Sequence, residues 1–137
     1  MKIGDIYKHQ LTKTMTESDN NLFCLLTMNH HPLHSDIEYA KETQFGQRVV
    51  VGTLVISLVV GMSVQDISYN AIANLGYTSI NHHKPVFIND TIHAQTEILE
   101  IKDSPSGNKI ITHVETRAFN QHDILVLTLR RHILVPK

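Results

Sequence analysis

Between Arg48 and Asp66 the chain carries no charged residue, and within that stretch lies the segment that most restricts the fold. From Gly52 to Ser68 the apolar positions are Leu54, Val55, Ile56, Leu58, Val59, Val60, Met62, Val64 and Ile67. Spaced about 100° apart on a helix, these residues cannot share one face, so other structure must wrap the segment on most sides. Its β-branched content permits a strand, but its length favours a helix. The uncharged run is shorter than the roughly 20 residues that span a bilayer, and Gln65 and Asp66 end it. A buried central helix, and no membrane span, is therefore expected.

The flanking patterns say what does the wrapping. Residues 6–15 mix β-branched and polar side chains and read as a first strand. Thr16, followed by Glu17 and Asp19, signals a helix start, and a helix to about Met28 places Phe23, Leu26 and Leu22 on one face. Pro32 is expected to break regular structure and leave the following residues irregular. Asp36 caps a further short helix through Thr43, which Gly46 ends. After Asn70 the pattern is of strands over 71–80, 92–101, 109–119 and 124–135, with turns at 104–108 and 120–123. The fold class is α+β: one domain over residues 1–137, a curved antiparallel sheet around its own helix, the hotdog architecture. Such a unit leaves a sheet edge and part of the helix uncovered, so a homodimer or higher homo-oligomer is expected.

Composition narrows the function classes. With 42% hydrophobic and 18% charged residues the chain is an ordinary globular sequence, and a net charge of -1 offers no attraction for nucleic acid. The lone cysteine, Cys24, excludes an internal disulfide and points to a reducing, cytoplasmic setting. Its place in Leu22-Phe23-Cys24-Leu25-Leu26 reads as a small buried hydrophobe. Met1-Lys2-Ile3-Gly4-Asp5 lacks the apolar core of a signal peptide.

Chemistry concentrates in Asn29-His30-His31-Pro32-Leu33-His34-Ser35-Asp36, where three imidazoles, an amide and a carboxylate precede the central helix. Imidazole moves protons near neutral pH, and a helix N-terminus accommodates developing negative charge. Together they suggest acid–base chemistry on a polarised carbonyl. His30, His31, His34 and Asp36 also form a string of potential zinc ligands. Adjacent histidines diverge, however, and Pro32 prevents a helix from aligning His30 with His34, so no metal site is expected. His30 is expected to face solvent. His9, His82, His83, His93, His113, His122 and His132 share no ligand spacing and read as surface or pocket-wall residues.

Several ordered pieces resemble the MaoC-like, or (R)-specific enoyl-CoA hydratase, branch of the hotdog superfamily. They are Pro32-Leu33-His34-Ser35-Asp36, Tyr39-Ala40, Phe45-Gly46, Val51-Gly52-Thr53-Leu54 and Lys84-Pro85-Val86-Phe87-Ile88-Asn89-Asp90-Thr91-Ile92, with Asn89 where a glycine is usual. Ala73-Asn74-Leu75-Gly76-Tyr77 and Thr27-Met28-Asn29 are most similar to the mesaconyl-CoA hydratase-like subgroup. The family motif Asp-x-Asn-Pro-x-His meets Asn29, His31, Pro32 and His34 here: the histidine is kept, the acid has become an amide, and His31 replaces the asparagine.

The resemblance implies a hydro-lyase of the EC 4.2.1 class that adds water to an α,β-unsaturated acyl-CoA. A short or dicarboxylic C4–C5 acyl group such as mesaconyl- or itaconyl-CoA is implied, with no cofactor beyond the coenzyme A of the substrate. His34 would shuttle the proton and Asn29 would hold the water without accepting a proton from it. The Gly52 N–H would bind the thioester oxygen. His31, Val51, Thr53 and Ser57 are the substrate-binding candidates. For Ser57 the alternative is a hydroxyl satisfied by the helix's own carbonyls. Lys84 and one of Arg130 and Arg131 are candidates for the coenzyme A phosphates, or else form a solvated edge. The rivals are a non-catalytic acyl-thioester binding protein and a hotdog acyl-CoA thioesterase, the latter disfavoured because no carboxylate opens the central helix.

Overall fold

The computed structural model describes residues 1–137. Strands β1 (Ile6–Lys8) and β2 (Lys13–Thr14) come first, followed by helices α1 (Glu17–Thr27), α2 (Pro32–Ser35), α3 (Ile37–Lys41) and α4 (Gly52–Ser63). A π-helical turn, Val64–Ser68, continues α4, and strands β3 (Ala73–His82), β4 (Thr91–Asp103), β5 (Lys109–Phe119) and β6 (Leu125–Pro136) complete the chain. The sheet is antiparallel in the order β1-β4-β5-β6-β3, with β2 also paired to β4. It curves around α4 as the hotdog fold expected from the sequence.

Alternation makes the sheet one-sided. On β4 the inward set is Ile92, Ala94, Thr96 and Ile98, and on β5 it is Thr112, Val114, Thr116 and Ala118, all buried. Ile92, Ala94 and Ala118, with Val126, Leu127 and Leu129 of β6, meet Val55, Val59 and Met62 of α4 in the main apolar core, while Ile98 and Val114 pack with Ile67 and Ile133 in a second, smaller one. The wrapping of α4 is less complete than its sequence demands. Leu54, Ile56, Leu58 and Val60 are only half-buried, and Thr53, Ser57 and Gly61 are exposed.

Three local expectations need correction. The single strand over residues 6–15 is two short strands, because the chain leaves the sheet between Lys8 and Lys13. There His9 turns inward between Asp66 and Thr96. Pro32 does not break structure but begins it: its fixed φ suits the first helical position, and α2 starts there. On α1 the buried residues are Asn20 and Cys24, whereas Leu22 and Leu26 are largely exposed. Burial also raises the Cys24 thiol pKa, which fits an inert packing role. Asn89 adopts φ 79°, the left-handed conformation that explains a glycine preference there.

Candidate active site

The site is built from the start of α1 onward. Thr16 and Asp19 form a reciprocal capping box: the Asp19 N–H donates to Thr16 Oγ1 at 3.1 Å, and the Thr16 N–H donates to Asp19 Oδ2 at 2.9 Å. Lys13 Nζ adds a 2.7 Å bond to the same carboxylate and, with the cap, holds its pKa at about 2. This fixes the helix so that Asn20 points inward, with no exposed surface. Met28 ends α1 in the left-handed conformation, and the chain turns into the histidine motif.

Within that motif the side chains divide their work. Asn29 Oδ1 accepts the His31 N–H at 3.3 Å. His31 caps α2, its Nδ1 accepting the Leu33 N–H at 3.1 Å, and its ring stands edge-on to His34 with centroids 6.1 Å apart. His34 is half-buried, and its Nδ1 lies 2.7 Å from the Val49 carbonyl oxygen. A carbonyl can only accept, so that nitrogen carries the hydrogen, and in the neutral ring the lone pair is on Nε2. An imidazole held this way presents Nε2 as the nitrogen that can take up a proton.

His34 lies in a cleft of about 340 Å³ with Gly52 and Val55 of α4. Val51 precedes α4 as its N-cap and supplies no side-chain cap, and its own N–H is taken by Asn20 Oδ1 at 3.0 Å. As the first residue of the helix, Gly52 has no intrahelical acceptor for its N–H. The ring of His82 closes on it: a Cβ at position 52 would sit 3.1 Å from His82 Cε1 and 3.2 Å from Nε2. The cleft also contains His83 and Lys84, and no carboxylate lines it. Its wall is otherwise apolar, with Phe45, Pro85 and Val126 among the contacts. The residues bearing a proton-accepting nitrogen and an unpartnered N–H thus line one cleft together with cationic or neutral polar groups.

Of the candidates from the sequence, His34 and Gly52 line this cleft; Asn29, His31, Val51, Thr53 and Ser57 do not. Val51 is buried behind it, and Thr53 and Ser57 lie on the exposed side of α4. The Ser57 hydroxyl donates to the Thr53 carbonyl at 2.9 Å, the self-satisfied alternative. Lys84 reaches the cleft, whereas Arg131 is buried far along β6 and Arg130 pairs with Glu115. No group of three His, Cys, Asp or Glu side chains stands in a metal-holding arrangement. Two contributors were missed. Asn20 had a signal, since a polar residue one helical turn before Cys24 shares its buried face. His82 had none, because only the closure of β3 onto the helix brings it to Gly52.

The chain is similar to several known proteins along nearly its whole length. The family model described as MaoC like domain matches residues 1–118. A mesaconyl-CoA hydratase of Cereibacter sphaeroides is 32% identical over 136 residues, which are 99% of this chain and 40% of that protein. The chain thus spans about two fifths of the first curated relatives it matches. An (R)-specific enoyl-CoA hydratase of Aeromonas caviae is 29% identical over 94% of this chain and 92% of its own length. Among solved structures, a monoamine oxidase regulatory protein from Archaeoglobus fulgius superposes with a TM-score of 0.91 at 36% identity, covering 100% of this chain and 92% of that one.

Proposed function

This chain belongs to the MaoC-like domain family, and from that premise we propose that it is a hydro-lyase adding water reversibly to an α,β-unsaturated acyl-CoA. One observation carries the proposal: His34 has its Nδ1 hydrogen committed to Val49, and its free nitrogen shares a cleft with the unpartnered N–H of Gly52. In the forward direction His34 Nε2 takes a proton from water as the oxygen bonds to Cβ of the thioester. The electron pair of the double bond moves toward the thioester oxygen, where the Gly52 N–H meets the developing charge. The imidazolium then returns the proton to Cα, leaving a 3-hydroxyacyl thioester and a neutral His34.

Asn29 lies outside the cleft with its oxygen accepting the His31 N–H, so its proposed part is to hold the water from the cleft's rim through its remaining amide N–H groups; an amide takes no proton, and the proton traffic falls on His34 alone. His31, edge-on to His34, is proposed as an outer contact of the substrate, whereas Val51, buried behind the cleft, and Thr53 and Ser57, on the exposed side of α4, do not serve the substrate-binding role expected of them. The reaction calls for no cofactor beyond coenzyme A. A short dicarboxylic acyl group is favoured because Lys84, with the N–H donors of His82 and His83, lines the cleft without a balancing acid. The mesaconyl-CoA hydratase relative supports the same class. A homodimer is supported by exposed Leu22 and Leu26 beside half-buried Leu54 and Leu58, and by the edge strand β3, which pairs only with β6. The single cysteine supports a cytoplasmic setting; no helix is long and apolar enough to cross a membrane.

A panel of enoyl-CoA thioesters, including crotonyl-, mesaconyl- and itaconyl-CoA, tests this by loss of the conjugated-thioester absorbance. Turnover of at least one is expected, with the carboxylated members preferred. The amide at position 29 favours one rival, a thioester-binding protein without turnover. Tight binding with no absorbance change, and activity gained in Asn29→Asp, would establish that rival instead.

A further inference from the structure

We propose that Asn20 is a positioning residue that sets His34 against the N-terminus of α4. Its consequence for rate rests on the hydration reading, but its geometry does not. The Asn20 amide nitrogen donates to the His34 carbonyl at 2.9 Å, and its oxygen accepts the Val51 N–H at 3.0 Å. Two further bonds close the loop: the Val49 N–H donates to the Leu33 carbonyl at 3.2 Å, and His34 Nδ1 donates to the Val49 carbonyl at 2.7 Å. The turn bearing the base and the segment ending in the Gly52 N–H are therefore both indexed to one side chain.

Nothing in the folding of α1 requires an asparagine there. Asparagine is a poor residue for a helix interior, and burying an amide is unfavourable unless both ends are paired. Both ends are paired here, one to each half of the site. The partners also define the amide's orientation, since a carbonyl must face nitrogen and an N–H must face oxygen. A displacement of about an ångström between a base and an electrophilic donor is enough to cost on the order of a hundredfold in rate.

The test compares Asn20→Leu, Asn20→Asp and Asn120→Ala with wild type. Asn120 is a buried asparagine whose side chain closes the β5–β6 turn, away from the cleft, so its loss reports destabilisation alone. Asn20→Leu is expected to lower kcat about 10- to 100-fold with KM within about threefold, while Asn120→Ala leaves both unchanged. A protonated carboxyl can replace the amide at both ends and an ionised one cannot. Asn20→Asp should therefore regain activity relative to wild type as the pH is lowered from about 8 to about 6. The ionisable groups nearby, His34, the Asp19–Lys13 pair and the Glu17–Arg48 pair, are common to both proteins, so the ratio isolates position 20.

A loss in Asn20→Leu no greater than in Asn120→Ala, or a pH-independent ratio for Asn20→Asp, would overturn the proposal. Should Asn20→Leu not fold, the Asn20→Asp ratio decides. Should wild type hydrate no thioester, the hydration reading fails, and the imidazole 15N spectrum of His34 decides separately. A single Nδ1–H tautomer in wild type that becomes mixed in the Asn20 variants supports the clamp. An unchanged spectrum refutes it.

Discussion

The two ends of α4 both gather polar side chains into a largely apolar molecule, yet they do opposite things with them. At the N-terminal end Asn20 and Val49 consume the hydrogen-bonding groups that set the geometry, and His34 Nε2 and the Gly52 N–H remain unspent in a cleft. At the C-terminal end the groups are turned on one another and closed off. His9 bridges Asp66 at 2.7 Å and Thr96 at 2.7 Å, and Thr96 bonds Thr116 at 2.8 Å. Arg131, 3% exposed, donates from Nη2 to Ser63 at 3.0 Å and Ser68 at 3.2 Å. Its position at the helix C-terminus offsets the carbonyl end of the helix dipole, as the vacant N–H at the other end suits an anion. Polarity alone therefore does not mark the site, and neither does a missing partner, since the buried Arg131 Nε lacks one too; a directed group left without a partner beside an open cleft does.

Substitutions at each end should separate these roles. His34→Ala removes the proposed base and is expected to lower kcat/KM by about 10²- to 10⁴-fold with little change in thermal stability, measured by enoyl-thioester absorbance and a melting curve. Gly52→Ala places a methyl against His82 and crowds the thioester oxygen, for a loss of about 10- to 100-fold in the same assay. Shortening the opposing ring in Gly52→Ala/His82→Ala should recover part of that loss if crowding is its cause.

Smaller effects fall on stability. Thr16→Ala deletes one arm of the α1 cap and should cost about 1 kcal/mol in denaturant unfolding. The Asp19 pKa is held at about 2, below its ordinary 3.8. The carboxylate therefore contributes stability that is complete above pH 3.8 and lost as the pH falls toward 2. Asp19→Asn should flatten that part of the acid-unfolding curve. At the closed end, Arg131 is desolvated without a carboxylate, which lowers its pKa, and its Nε has no partner. Arg131→Met should leave kcat/KM within about twofold and stability within about 1 kcal/mol of wild type or above it. A larger loss would mean that the two serine contacts outweigh the burial of the charge.

Much of this contrast was legible in the residues. The uncharged run after Arg48 fixed a central helix, alternation gave the β4–β5–β6 meander, and the Thr16 and Asp36 caps started α1 and α3 where expected. His34 and Gly52 were legible because short-range motifs carry them. Other features depended on tertiary contact and so left little trace. The first strand splits because His9 finds Asp66, which is 57 residues away. The Leu22–Leu26 face of α1 looks like core by composition but stays exposed in the protomer, while Asn20 takes the inward position. His82 and Asn20 gain their roles from strand closure and helix docking, neither of which has a local pattern.

The most direct test follows hydration of the best enoyl-CoA of the panel by wild type, His34→Ala and Arg131→Met side by side. Catalysis at the open end predicts that Arg131→Met matches wild type within about twofold while His34→Ala is slower by at least about a hundredfold. Full activity in a folded His34→Ala protein would contradict it.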